Sequence, residues 1–207
     1  ALAVLASRFH GDPSHDLLCV GVTGTNGKST TATIIQQILS ASGAPSAYLG
    51  TLGFLCGVEA ELVSNTTPEA GHLHALLARA SQAGCRSMVM EVSSHGLSLD
   101  RVHGIDFAAA VFTNLSRDHL DFHGSEESYF AAKSLLFRQL GPTAAAVLNA
   151  DDPRSQSLAE QTRARVWRYG GKGADVTLCE ACLESDRTRL KLATPDGVFE
   201  VDSALTG

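Results

Sequence analysis

Residues 21–31 read Gly-Val-Thr-Gly-Thr-Asn-Gly-Lys-Ser-Thr-Thr, a glycine-framed turn ending in Lys-Ser between an apolar run and a segment of helical pattern. Such a stretch grips phosphate. Its glycines let the backbone bend until N–H groups face one concave space, and the positive end of the following helix faces the same space. Gly24, Thr25, Asn26, Gly27, Lys28, Ser29 and Thr30 are therefore the expected nucleotide-binding residues, with Lys28 reaching the β- and γ-phosphates and the Ser29 hydroxyl a Mg²⁺ ion. The usual spacing has four residues between the glycines. Here two separate Gly24 from Gly27, so the loop is a shortened variant.

Further groups suited to chemistry stand where strand-like runs end. The run 87–92 carries Glu91 and leads into Ser93-Ser94-His95-Gly96. A carboxylate there can hold a Mg²⁺ that bridges two phosphates, because that ion prefers oxygen ligands, or it can cap the next turn. Residues 113–124 are dense in polar groups, and His119 between Asp118 and Asp121 reads equally as a ligand or a structural histidine. Lys133 has Tyr129, Phe130, Leu136 and Phe137 at i−4, i−3, i+3 and i+4, which puts it on a helix face shared with the core. Desolvation there disfavours the ammonium and leaves an amine able to take up CO₂ as an anionic carbamate, a further oxygen donor for Mg²⁺. The alternative is a lysine whose stem snorkels along apolar surface. Asn65-Thr66-Thr67-Pro68-Glu69 precedes a helix and could bind an anionic substrate or supply a cap.

These residues need a scaffold, and alternating apolar runs and helical patterns provide one. Strands are expected at 17–22, 46–49, 87–92, 108–113 and 144–149, with 165–169 at an edge, and helices at 29–40, 69–83, 126–140 and 153–162. Asp152-Pro153 forms an N-cap and first-turn pair, and 51–63 a hairpin. After Gly170-Gly171 the pattern turns to short alternating strands near 176–183, 189–193 and 198–201, a small antiparallel appendage. The expected class is α/β: a P-loop-type, mostly parallel sheet with helices on both faces, plus that appendage. Residues 1–16 read as part of an N-terminal helix and 17–207 as one phosphate-binding α/β unit with its appendage, the chain breaking off inside a longer protein.

Of the 207 residues 44% are hydrophobic, enough for a sizeable core. The net charge of −6 argues against a nucleic-acid partner. No run approaches the roughly 20 apolar residues of a membrane span, and the apolar start lacks the basic leader of a signal peptide. Five cysteines without regular spacing fit reduced thiols in the cytoplasm, and Cys179-x-x-Cys182 reads as ordinary strand, since zinc would need two more ligands.

Taken together, G-T-N-G-K-S-T-T, N-T-T-P-E, M-E-V-S-S-H-G-L, F-T-N-L-S-R-D-H-L-D-F-H-G, Y-F-A-A-K and V-L-N-A-D-D-P resemble the central domain of the Mur ligases, in unbroken order over nearly the whole chain. The resemblance implies an ATP-dependent acid–amino-acid ligase of peptidoglycan synthesis, and so of cell shape and division. It would add an amino acid, a diamino acid in the nearest branch, to UDP-N-acetylmuramoyl-L-alanyl-D-glutamate through an acyl phosphate. Lys28 would bind phosphate, Ser29 and Glu91 serve one Mg²⁺, and His119 with carbamylated Lys133 a second; Lys28, His119 and Lys133 would be catalytic. Asn65, Thr66, Thr67, Ser93 and Arg101 would hold the UDP-muramoyl-dipeptide. Leu99 stands where the family usually has glutamine, a departure at a position that bonds substrate. The resemblance further implies a cytoplasmic monomer with UDP-binding and amino-acid-binding domains flanking this one, so that the isolated chain would catalyse no ligation. Other readings are a related amide ligase of the folylpolyglutamate or cyanophycin type, and a non-catalytic nucleotide-binding module.

Overall fold

A computed structural model describes residues 1–205 and gathers the strands into one eleven-stranded sheet. Its parallel heart consists of β1 (Leu18–Thr23), β2 (Ser46–Gly50), β5 (Ser87–Glu91), β6 (Phe107–Phe112), β7 (Ala145–Asn149) and β8 (Arg165–Gly170). β1 lies between β5 and β6, with β2 beyond β5 and β7 and β8 beyond β6. The expected hairpin is present as β3 (Gly53–Cys56) and β4 (Glu59–Glu61), paired antiparallel onto β2.

From Cys19 to Val22 β1 carries no polar side chain, because that stretch is covered on both sides. Cys19 and Gly21 face one cluster, while Val20 and Val22 face the other. The larger cluster is closed by α3 (Ala70–Gln82), α6 (Glu126–Arg138) and α7 (Ser155–Gln161) through Leu73, Leu76, Leu77, Leu136, Phe137 and Leu158. A Cβ at Gly21 would stand 3.0 Å from Phe107, 3.2 Å from Val92 and 3.3 Å from Leu136, a tight fit under α6. The smaller cluster rests under α2 (Lys28–Ala41) alone, through Ala32, Ile35 and Leu39. Helices thus cover both faces, unevenly.

α1 (Leu2–Phe9) turns Ala3 and Ala6 inward and packs on α3. α4 (Ser94–Ser98) and α5 (Leu120–His123) are short helices that follow β5 and β6.

Two expectations are corrected. β8 is not an edge: β9 (Val176–Leu183) joins it in parallel through Tyr169–Val176 and Gly170–Thr177. β10 (Thr188–Thr194) and β11 (Gly197–Ser203) then continue antiparallel, so the appendage extends the main sheet. Secondly, Asp152-Pro153 does not start α7, whose N-cap is Arg154. Asp152 accepts instead from the amides of Arg154 at 2.8 Å and Leu115 at 2.7 Å, tying two strand-end loops together. Cys179 and Cys182 lie exposed on β9. Among the described residues no helix is long and apolar enough to cross a membrane. The expected end of the second unit, Thr206 and Gly207, lies outside the described residues.

Candidate active site

The polar residues flagged at the carboxyl ends of β1, β5 and β6 meet in one cleft of about 330 Å³, at the edge where open α/β sheets bind ligands. Its floor is the loop from Gly24 to Gly27, which turns through φ values of +150° and +80° at the two glycines. A Cβ on Gly24 would overlap the Thr113 hydroxyl.

The loop's amides divide their work. Those of Thr25 and Asn26 donate to Asn114 O and Oδ1 at 2.8 and 3.1 Å, so they do not point inward as the glycine pattern suggests. The donors left for phosphate are the first-turn amides of α2, which have no intrahelical acceptor. Thr113 Oγ1 donates to Asn26 O at 2.6 Å, Asn114 Nδ2 to the same carbonyl at 3.1 Å, and the Thr25 hydroxyl accepts from Ser116 N at 2.9 Å. The phosphate loop is therefore laced to the end of β6.

Two lysines converge on this loop. Lys28 Nζ donates to Gly24 O at 3.1 Å and Thr25 O at 2.8 Å, and burial lowers its pKa against the opposing pull of Glu91 and Asp118. Lys133, 1% exposed, also donates to Gly24 O, at 2.8 Å, with its Nζ 4.4 Å from the centre of the Tyr129 ring. Burial first, then repulsion from Lys28, brings its pKa from 10.5 to about 7, while Asp118 acts the other way. The shared face expected for Lys133 is observed, with the amine turned into the cleft.

Opposite stands Glu91, 1% exposed at the end of β5. Its Oε1 accepts from the Tyr48 hydroxyl at 2.5 Å and Thr51 N at 2.8 Å, and its Oε2 from Ser29 Oγ at 3.0 Å. Burial and this bond push the Tyr48 phenol up, keeping it a donor. Neighbouring oxygens of an octahedral Mg²⁺ lie about 3 Å apart, so the Ser29–Glu91 pair fits that ion. Among the described residues no three or more His, Cys, Asp or Glu form a metal cluster. His119, at the N-cap of α5, lines the same cleft about half exposed, with Asp118 Oδ2 3.5 Å from its Nε2.

The residues expected to hold an acceptor are split. Thr66 and Ser93 line the cleft. Thr67 does not: it is buried, donates to Glu91 O at 2.9 Å and accepts from Ser93 N at 2.9 Å, so its hydroxyl is spent on backbone. Asn65 is exposed and Arg101 donates to Thr67 O at 3.0 Å and pairs with Glu69; neither lines the cleft. Leu99 is exposed at the end of α4. Tyr48, Thr51 and Asn114 were not among the expected site residues. Tyr48 lies within β2, and Thr51 and Asn114 in the segments that follow β2 and β6, so only the strand order reveals their partners.

Residues 22–207 match the sequence model of the Mur ligase middle domain. A UDP-N-acetylmuramoyl-L-alanyl-D-glutamate–2,6-diaminopimelate ligase from Chlorobaculum tepidum is 48% identical over 180 residues, 87% of this chain and 35% of that protein. A solved structure of an enzyme of the same name superposes with a TM-score of 0.85 at 29% identity, covering 97% of this chain and 44% of the other. MurF ligase from Thermotoga maritima, solved in complex with ADP, shares the fold with a TM-score of 0.74 at 20% identity, over 100% of this chain and 45% of its own. The chain spans under half the length of the curated relatives it matches. Sequence and fold agree with the chemistry of the cleft: the chain belongs to the Mur ligase middle-domain family.

Proposed function

We propose that the whole protein is an ATP-dependent amide ligase that adds a diamino acid, 2,6-diaminopimelate by the relatives' name, to UDP-N-acetylmuramoyl-L-alanyl-D-glutamate. One observation carries this reading: Lys28, Ser29, Glu91, His119 and Lys133 converge on a single cleft over the phosphate loop. In this reading residues 1–16 connect to a preceding unit, residues 17–207 form the ATPase unit, and the enzyme works as a cytoplasmic monomer.

The acceptor's carboxylate attacks the γ-phosphoryl group of ATP in line, ADP leaves, and the resulting acyl phosphate is displaced by the incoming amine with release of phosphate. Both reactants are anionic. The free first-turn amides of α2 and Lys28 hold the β- and γ-phosphates and offset that charge. Ser29 with Glu91 would hold one metal ion, and His119 with carbamylated Lys133 a second. Mg²⁺ bound there neutralises oxygens that would otherwise repel the carboxylate. Lys133 reaches its anionic form when its neutral amine adds to CO₂, forming a C–N bond and giving up one proton to solvent. Thr66 and Ser93 bound the side from which the acceptor approaches, with Asn65 at the entrance. Arg101 and Thr67 hold that wall in place from behind.

The test is phosphate release by the full-length protein. It should require both UDP-muramoyl-dipeptide and diaminopimelate, and a folate acceptor should not substitute. The 207-residue chain run beside it should bind nucleotide weakly and ligate nothing, because neither the acceptor nor the amine is held near the γ-phosphate. ATP hydrolysis indifferent to acceptor and amine would leave only a nucleotide-binding module.

A further inference from the structure

Helix α5 carries His119 at its N-cap and buries none of its four residues. His119 also adopts φ of +50°, a left-handed state uncommon for a non-glycine residue. Its neighbours across the cleft rim are in the first turn of α4. The His95 ring lies 4.1 Å from that of Phe122 and meets the His119 ring edge-on at 4.9 Å, centroid to centroid. One residue earlier, Ser94 Oγ is hydrogen-bonded to His123 Nε2 at 3.0 Å. The His119 ring also lies 6.0 Å from that of Tyr129, whose hydroxyl is bonded to Thr25 of the phosphate loop at 3.2 Å. His119 thus neighbours two rings, one anchored to the loop and the other carried by the helix that Ser93 caps.

We propose, resting on the ligase reading above, that His95 is a positioning residue for His119. Its ring, together with the Ser94–His123 bond, seats the α5 turn over the phosphate cleft. α4 then links the wall that meets the acceptor to the residue that meets the metal. Neither His95 nor His123 touches the reacting atoms in this role. Each acts by fixing where the His119 imidazole stands, and partners of that kind typically change metal affinity by about 10- to 100-fold.

The experiment uses full-length protein and two readouts. Mn²⁺ binding in the presence of AMPPCP, followed by electron paramagnetic resonance, reports the metal without turnover. The Mg²⁺ dependence of phosphate release reports it in the reaction. His95→Ala should weaken Mn²⁺ binding about tenfold and raise the half-saturating Mg²⁺ by a similar factor, with excess Mg²⁺ restoring most of the rate. His95→Phe, which keeps a stacking ring, should recover most of the affinity. His123→Ala should lose affinity, and His123→Gln, which can still bond Ser94, should recover it. AMPPCP binding in EDTA serves as the check that each variant folds. If His95→Ala does not fold, His123→Ala and His95→Phe decide the matter. Unchanged Mn²⁺ affinity in the folded alanine variants beside an active wild type overturns the positioning role alone. A wild-type protein that neither binds Mn²⁺–AMPPCP nor ligates overturns the ligase reading and this inference with it.

Discussion

The carboxyl-end crest of β1, β5 and β6 and the β9–β11 ribbon belong to one sheet yet are held by different forces. In the crest, Glu91, Lys133, Thr67 and Thr113 are buried polar groups, and each is hydrogen-bonded. Such groups cannot shift without leaving a desolvated donor or acceptor unpaired, at about 1–3 kcal/mol apiece, more for a charge. In the ribbon no residue of β9, β10 or β11 is buried. Its strands are joined by ladder bonds and by exposed ion pairs such as Arg189 with Glu184 at 3.5 Å and Arg187 with Asp202 at 3.5 Å. The difference teaches where function can sit. Chemistry that depends on placing a charge to within a fraction of an ångström belongs where packing and satisfied polar bonds leave one arrangement.

The contrast is tested hardest at Lys28. In the full-length protein Lys28→Ala should lower kcat/KM by at least about 10²-fold, roughly 3 kcal/mol, as loss of a preorganised charge does in comparable sites. Near-normal turnover would mean that phosphate binds elsewhere.

Lys133 probes the crest from inside. Lys133→Ala should fold and lose most activity, and Lys133→Arg should fail as well, because a guanidinium stays charged and takes up no CO₂. The pH dependence has a definite sign. With a folded-state pKa of about 7 against 10.5 when exposed, the native protein binds fewer protons than the unfolded chain between those values. Stability of the unmodified enzyme relative to Lys133→Met should therefore rise with pH through that window and be lowest at or below pH 7. Denaturant melts of both proteins under CO₂-free conditions, on either side of the window, measure it. A difference that stays flat would refute the burial argument.

The smallest effect is expected in the ribbon. Arg189→Ala breaks exposed pairs with Glu184 and Asp202. It should cost under about 1 kcal/mol and leave ligation unchanged. A loss well beyond that in a thermal melt would show that the ribbon shares the rigidity of the crest.

Much of this could be read from the chain alone because it is local. The turn between Gly24 and Gly27, the helix begun by Lys28-Ser29 and the apolar neighbours of Lys133 at i±3 and i±4 follow from spacing along one element, and all are observed. Glu91 was legible for the same reason, as a carboxylate at the end of an apolar strand. The partners of these groups were not. That Asn114 takes the amides of Thr25 and Asn26, that Tyr48 and Thr51 share the carboxylate of Glu91, and that Thr67 spends its hydroxyl on backbone all depend on β1 lying between β5 and β6 with β2 beyond. The same holds for β8, which becomes an interior strand only because β9 joins it. Periodicity records which face of an element is apolar. Strand order is settled by how whole elements pack, and it decides which distant polar groups come within bonding distance.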